Sequence, residues 1–184
     1  MKTNHLLIIF VLLSTLLTNC APRVGALQSE SQSVELGDAR SVRVEIELGA
    51  GDLQVTGHAE KLMEADFTYN VAELKPEIEY TDGTLVIRQP ESGGLPALQG
   101  IRDFRNEWGL RLNDAVPMDL SVDVGAGAGD LRLSGLSLTG LDITLGAGRS
   151  MIDLSGDWMS DLSDVTMQID MQAGVGQINL EVED

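Results

Sequence analysis

Strict alternation of apolar and polar residues dominates this chain. Val42, Val44, Ile46 and Leu48 alternate with Arg43, Glu45 and Glu47. Leu120, Val122 and Val124 alternate with Ser121 and Asp123, and Leu141, Ile143 and Leu145 with Asp142 and Thr144. Val165, Met167, Ile169 and Met171 alternate with Thr166, Gln168 and Asp170; Ile178, Leu180 and Val182 close the series. A period of two puts aliphatic side chains on one face of an extended strand and polar ones on the other. The pattern predicts half-buried β-strands. No segment of comparable length carries a helical period, and only residues 156–164 and Ala59–Ala65 are expected to form a short helical turn each.

The alternating runs end in a recurring corner. Val124-Gly-Ala-Gly-Ala-Gly-Asp-Leu131-Arg-Leu133 matches Leu145-Gly-Ala-Gly-Arg-Ser-Met-Ile152-Asp-Leu154 and Met171-Gln-Ala-Gly-Val-Gly-Gln-Ile178-Asn-Leu180. A shorter copy stands earlier, at Leu48-Gly49-Ala50-Gly51-Asp52-Leu53-Gln54-Val55. The last three copies start 21 and 26 residues apart, a spacing that fits one coil of a β-solenoid per repeat. Stacked corners bring backbones close together, so Gly and Ala fit there and larger residues do not. Leu131, Leu136 and Leu141, five apart, also resemble a pentapeptide coil, but the longer repeat accounts for them. The predicted fold class is all-β: a right-handed β-helix-like stack of short strands with Gly-Ala corners.

The corner sequence invites two chemical readings, and both lack their partners. A phosphate-binding loop needs a Lys-Ser/Thr and a helix after the glycines, and neither follows. A calcium-binding β-roll needs a recurring Gly-Gly-x-Gly-x-Asp array, whereas only Asp52 and Asp130 follow a corner. No metal site and no cofactor are expected.

The middle of the chain breaks the pattern. Gln89-Pro90-Glu91-Ser92-Gly93-Gly94-Leu95-Pro96 is a loop signal. It leads into Ile101-Arg102-Asp103-Phe104-Arg105-Asn106-Glu107-Trp108, the most basic and aromatic stretch of the chain. This predicts an insertion at about 90–108 between two strand blocks. Long loops in otherwise tight domains often bind, so Arg102, Phe104, Arg105 and Trp108 are candidate binding residues. Trp108 and Trp158 are also natural core or edge caps.

At the N-terminus, Lys2 precedes a nearly continuous apolar run from Leu6 to Leu17. The run is shorter than the ~20 residues a membrane span needs and has the layout of a secretory signal peptide, assigned to residues 1–19. Leu17-Thr18-Asn19-Cys20 resembles a lipobox, with Asn19 departing from the small residue usual before the cysteine. Cys20 is the only cysteine, so it has no disulfide partner within the chain. The residue is assigned as a lipidation site, which would anchor the protein at the outer face of the membrane. The alternative is an ordinary signal peptide cleaved near Val24-Gly25-Ala26. Residues 20–38 read as the lipidated cysteine and a flexible tether, because 21–33 are too polar to fold alone. The folded domain is then expected over 39–184.

Charge narrows the partners. Asp and Glu number 29 against 12 Lys and Arg. Such a chain is repelled by nucleic acid, so no nucleic-acid partner is expected. Aromatic residues make up 4% of the chain, little material for a sugar-stacking platform.

The stretch Val44–Gln89, with Leu-Gly-Ala-Gly-Asp-Leu-Gln-Val-Thr-Gly, Glu64-Ala65-Asp66-Phe67-Thr68-Tyr69-Asn70, Lys75-Pro76 and Gly83-Thr84-Leu85-Val86-Ile87, then carries a resemblance. Trp108, Val116-Pro117-Met118-Asp119-Leu120 and the Gly-Ala-Gly strands extend it over residues 40–183. These motifs resemble the toast-rack family of extracytoplasmic β-solenoid domains. They are more distantly similar to the C-terminal domains of LiaF-type envelope-stress proteins and to adhesin-type domains. The resemblance implies a single-sheeted or right-handed β-helical stack without known catalysis, and it transfers no functional residue.

Three functions are weighed. The first is a non-enzymatic envelope lipoprotein that binds a protein partner or ligand, for example in envelope-stress sensing. The second is a structural or adhesive surface protein. The third is a polysaccharide-acting β-helix enzyme, which would need a paired acid and base or a carboxylate-bound calcium ion. For the third, Asp119, Asp123, Asp142, Asp153 and Asp170 would have to cluster across coils; a solvated acidic strand face is the simpler expectation. His5 lies in the signal and His58 in an apparent turn, so no catalytic residue is assigned.

Overall fold

The computed structural model describes residues 24–90, 103–155, 166–170 and 176–181. The expected signal peptide at 1–19, Cys20, Arg102, Trp158 and the expected helical turn at 156–164 lie outside them. The strands are β1 (Gln28–Val34), β2 (Val42–Thr56), β3 (Met63–Tyr69), β4 (Glu77–Thr81), β5 (Thr84–Arg88), β6 (Asn106–Leu112), β7 (Met118–Arg132), β8 (Leu138–Asp153), β9 (Thr166–Asp170) and β10 (Gly176–Glu181). All ten belong to one sheet, whose main path runs β1-β3-β6-β2-β7-β8-β10. The fold is all-β and solenoid-like.

The long strands β2, β7 and β8 are its centre. They pair in parallel, with Ala50 beside Ala126 beside Ala147 and Gly51 beside Gly127 beside Gly148. Each long strand has two halves. In β2 the buried residues are Val42, Val44, Ile46 and Leu48 before the corner, then Leu53 and Val55 after it. The buried set moves from even to odd positions across Gly51, whose φ is +145°. Gly127 at +140° and Gly148 at +146° make the same switch. Both halves thus feed one continuous core despite the change of phase.

The corners also explain the glycines by contact. A Cβ on Gly127 would lie 1.7 Å from the Gly51 carbonyl oxygen, and one on Gly148 would lie 1.7 Å from that of Gly127. No side chain fits at that approach. The sequence reading of the corners as stacked small residues therefore holds.

The outer coils are interrupted versions of the inner ones. β5 pairs in parallel with the first half of β2 (Arg43–Glu47), and β6 with its second half (Asp52–Thr56). Together they form a coil whose corner is opened out into residues 89–105. On the other side β9 pairs with the first half of β8 and β10 with its second half. There Thr144 pairs with Asp170, 26 positions on, and Gly148 with Gly176, 28 positions on. The last coil thus carries two more residues at its corner. This corrects the repeat alignment: Leu180 stands opposite Ile152, not Leu154. Glycine-on-glycine stacking, with Gly176 over the Gly148 carbonyl, sets that register.

Three further expectations change. The tether is shorter than 20–38, because Gln28–Val34 forms β1, antiparallel to β3. Its own side chains bury little, as their polarity suggested. Backbone pairing holds the strand, supported by Lys75–Glu30 at 2.8 Å and Ser31 donating to Asp66 at 2.5 Å. Ala59–Ala65 forms no helical turn: β3 starts at Met63 and buries Met63, Ala65, Phe67 and Tyr69 at period two, between β1 and β6. The insertion ends at 105 instead of 108, since β6 begins at Asn106 and takes Trp108 into the core.

Candidate functional site

The opened corner of the first coil creates a surface feature that the tight inner corners lack. Chain leaving β5 at Arg88 and returning into β6 at Asn106 leaves Ala50, at the apex of β2, without a neighbouring strand on that side. Buried backbone groups need partners. Two side-chain amides supply them. Gln89 Oε1 accepts from the Ala50 N–H at 3.2 Å, and Asn106 Nδ2 donates to the Ala50 carbonyl at 2.7 Å. The same Nδ2 donates to Gln89 Oε1 at 3.0 Å, and Asn106 Oδ1 accepts from Trp108 Nε1 at 2.9 Å. Trp108 packs edge-on against Phe67, with ring centroids 5.4 Å apart.

The far end of the excursion is clamped by Asn70. Its Nδ2 donates to the Asp103 carbonyl at 2.6 Å, and its Oδ1 accepts from the Arg105 N–H at 2.8 Å. The Asn70 N–H donates to the Arg105 carbonyl at 3.1 Å. Phe104 and Arg105 are thereby fixed beside the glycine corners.

A groove of about 620 Å³ runs along these corners. Its floor is Ala50, Gly51, Gly125, Ala126, Gly127 and Ala147; its walls are Phe104–Glu107 and Asp52, which pairs with Glu107 across β2 and β6. The floor is apolar and offers backbone. The walls offer an aromatic ring, the Arg105 guanidinium and two carboxylates. Arg105 Nη1 contacts Glu107 Oε1, while Asp52 Oδ1 accepts from the Ala128 N–H at 3.2 Å. A second trough of about 490 Å³, around Gly109, Ala128 and Gly129, shares Asp52 and Glu107 with the first. The first groove can hold an extended ligand by shape, stacking and hydrogen bonds. Among the described residues its lining contains no Ser, Cys, His or Lys.

Of the candidate binding residues, Phe104 and Arg105 meet at this groove. Phe104 is half-buried and Arg105 exposed. Trp108 is 1% exposed and belongs to the core, so it serves the site only through Asn106. Arg102 lies outside the described residues. Gln89 and Asn106 were missed as parts of the site. The signal for Asn106 is in the sequence: it occupies an inward position of the alternating set Asn106, Trp108, Leu110 and Leu112, where a polar residue needs a local partner.

The candidate carboxylates do not converge. Asp119, Asp123 and Asp142 lie on the first halves of β7 and β8, with Asp119 paired to Arg43 at 2.9 Å. Asp153 lies at the end of the second half of β8. There the hydroxyl and N–H of Ser155 donate to its carboxylate and hold its pKa below the ordinary 3.8. Asp170 lies in β9, beside Thr144. His58, in a turn with φ +68°, pairs with Asp114 at 2.6 Å, away from the groove. Among the described residues, no three His, Cys, Asp or Glu side chains gather to hold a metal ion.

Comparison with known proteins adds the following. The model of a family described as the N-terminal domain of toast_rack, DUF2154, matches residues 23–181. Among solved structures, the chain is similar to a candidate cell adhesion protein from Clostridium sporogenes, at 24% identity and a TM-score of 0.67, covering 86% of this chain and 100% of that one. Candidate adhesins from Parabacteroides merdae (8% identity, TM-score 0.31, 84% and 97% covered) and Bacteroides fragilis (11%, 0.31, 85% and 97%) overlap more loosely and do not bear on function. No curated protein matches the sequence.

Proposed function

The chain belongs to the toast-rack family, and from that premise we propose that it is a non-enzymatic extracytoplasmic envelope lipoprotein that acts by binding. The observation that carries the reading is the corner groove. Glycine corners and an opened coil build a fixed apolar floor beside Phe104 and Arg105, a surface shaped for holding a ligand. The groove suits an extended ligand or a protein segment with a cationic group to meet Asp52 and Glu107. Envelope-stress sensing is the finer form of this proposal, with a membrane protein as the partner and a lipidated Cys20 as the anchor.

The test is capture from membranes of cells under cell-wall-antibiotic stress, using the full chain and its Phe104→Ala/Arg105→Glu double variant. A specific partner held by the wild type and lost from the variant is expected. A partner retained by the variant removes the groove from the account. A surface-adhesive role is the second reading, since the Clostridium sporogenes protein is described as a candidate cell adhesion protein. In that case loss of the groove residues leaves stress responses intact and lowers cell attachment.

A further inference from the structure

The chain is held to the sheet much earlier than its polar N-terminal composition suggests. The Gly25 N–H donates to the Asn70 carbonyl at 2.6 Å. Asn70 is also the residue that clamps Asp103 and Arg105. This hydrogen bond and the base of the corner excursion therefore sit together at one end of the β1-β3-β6 block, beside the Gly51 corner of β2. Only residues 21–24 separate Gly25 from Cys20. Five Cα steps of at most ~3.6 Å let Cys20 reach no more than about 18 Å from Gly25.

That reach is shorter than the β1-β3-β6 block. β1, β3 and β6 run from this end to Val34, Met63 and Leu112, six residues away, or about 20 Å at ~3.3 Å per residue. A leash of this length holds the Asn70 end of that block near any anchor at Cys20. The length of the link, not charge, sets this orientation: among the described residues at this end Arg105 is ion-paired with Glu107, and Asp103 and Glu73 are exposed beside it.

We propose that the sheet end built from Gly25, Asn70 and Asp103–Arg105 is the protein's membrane-facing surface, resting on lipid headgroups. This rests on the reading of Cys20 as lipidated. The groove beside Phe104 then opens at the bilayer surface, and the far end at Lys61 and Arg111 points away from it.

The test uses the full lipidated chain in vesicles of phosphatidylethanolamine and phosphatidylglycerol. A thioether-linked Cys20 leaves no free thiol, so a single introduced cysteine takes a fluorophore cleanly. Ala72→Cys labels the near end and Glu60→Cys the far end. Nitroxide attached to lipid headgroups is expected to quench the label at 72 several-fold more than at 60. A Gly/Ser insertion of about a dozen residues between Arg23 and Val24 should leave the chain on the vesicles and bring the two signals together, since its ends then reach beyond the block's length. Equal quenching at both sites, or stronger quenching at 60, in the chain with its natural link overturns the orientation and leaves the anchor intact. A chain whose mass shows no acyl groups and which fails to stay on vesicles overturns the anchor reading itself.

Discussion

The side-chain amide of Asn106 stands 2.7 Å from the carbonyl oxygen of Ala50, at the place where a strand is missing. The inner coils need no such device, because Ala126 and Ala147 continue the ladder at their corners. Asn106→Leu keeps the bulk and removes three hydrogen bonds. It leaves the Ala50 carbonyl and the Trp108 N–H, both in the interior, without these partners. An orphaned buried group costs about 1–3 kcal/mol, so a loss of at least about 2 kcal/mol is expected in urea unfolding, with the m-value unchanged. A loss near zero would mean that water enters the corner and replaces the amide.

The glycine ladder gives a sharper contrast. A Cβ at Gly127 meets the Gly51 oxygen at 1.7 Å, and the residue sits at φ +140°. Gly37 also has a positive φ, +58°, but a Cβ there meets nothing within 4 Å. Gly37→Ala should cost about 1–2 kcal/mol, the ordinary penalty of a left-handed alanine. Gly127→Ala should cost more than about 3 kcal/mol, because it adds overpacking against backbone that cannot move aside. Thermal melts of the two variants measure the difference; equal costs would show that the coils can slide apart.

These two sites also mark what the sequence made legible. The alternation of Val42 to Leu48 and the recurring Gly-Ala corners specify strands and stacking by local pattern alone, and the structure agrees. What escaped depended on partners far along the chain. β1 is polar from Gln28 to Ser33 and reads as tether, yet its backbone pairs with β3 some 35 residues later. The Ala59–Ala65 segment lacked a strand signal until β1 and β6 flanked it. Met171–Leu180 resembles the earlier repeats closely enough to align without a gap, and only the seating of Gly176 over Gly148 reveals the two extra residues. At the site, Phe104 and Arg105 stood out as an unusual basic and aromatic pair. The groove they flank was invisible, because it requires β5 and β6 to be two halves of one coil.

Pairing of β1 has a measurable consequence. Amides of Gln28–Val34 that bond to β3 should exchange far more slowly than those of an unstructured tether. Glu30 provides a second handle: its hydrogen bond and charge raise the Lys75 pKa above the ordinary 10.5, against a smaller opposing effect of desolvation. A raised pKa means that Lys75 contributes stability below its unfolded value and loses it as pH rises through the folded one. Glu30→Gln should bring the Lys75 titration back toward 10.5 and remove that alkaline dependence, as read by NMR of the lysine side chain. An unchanged titration would place β1 away from Lys75 in solution.

The acid side of the pH range tests the end of β8. Asp153 accepts from the Ser155 hydroxyl at 2.5 Å and the Ser155 N–H at 2.9 Å, and these bonds lower its pKa, with a smaller contribution from Arg132. A depressed carboxyl contributes stability above its unfolded pKa and loses it as pH falls through the folded one. The group is only half-buried, so the effect on stability is small and the titration is the better readout. Ser155→Ala removes the hydroxyl, the first of the causes, and leaves the N–H bond in place. The Asp153 titration should therefore move up toward 3.8 without reaching it. The stability difference between the wild type and Ser155→Ala should be present at neutral pH and shrink once both proteins are below that range. If the difference instead persists unchanged in acid, Ser155 acts through packing, and the hydrogen bond to Asp153 is not what holds the end of the strand.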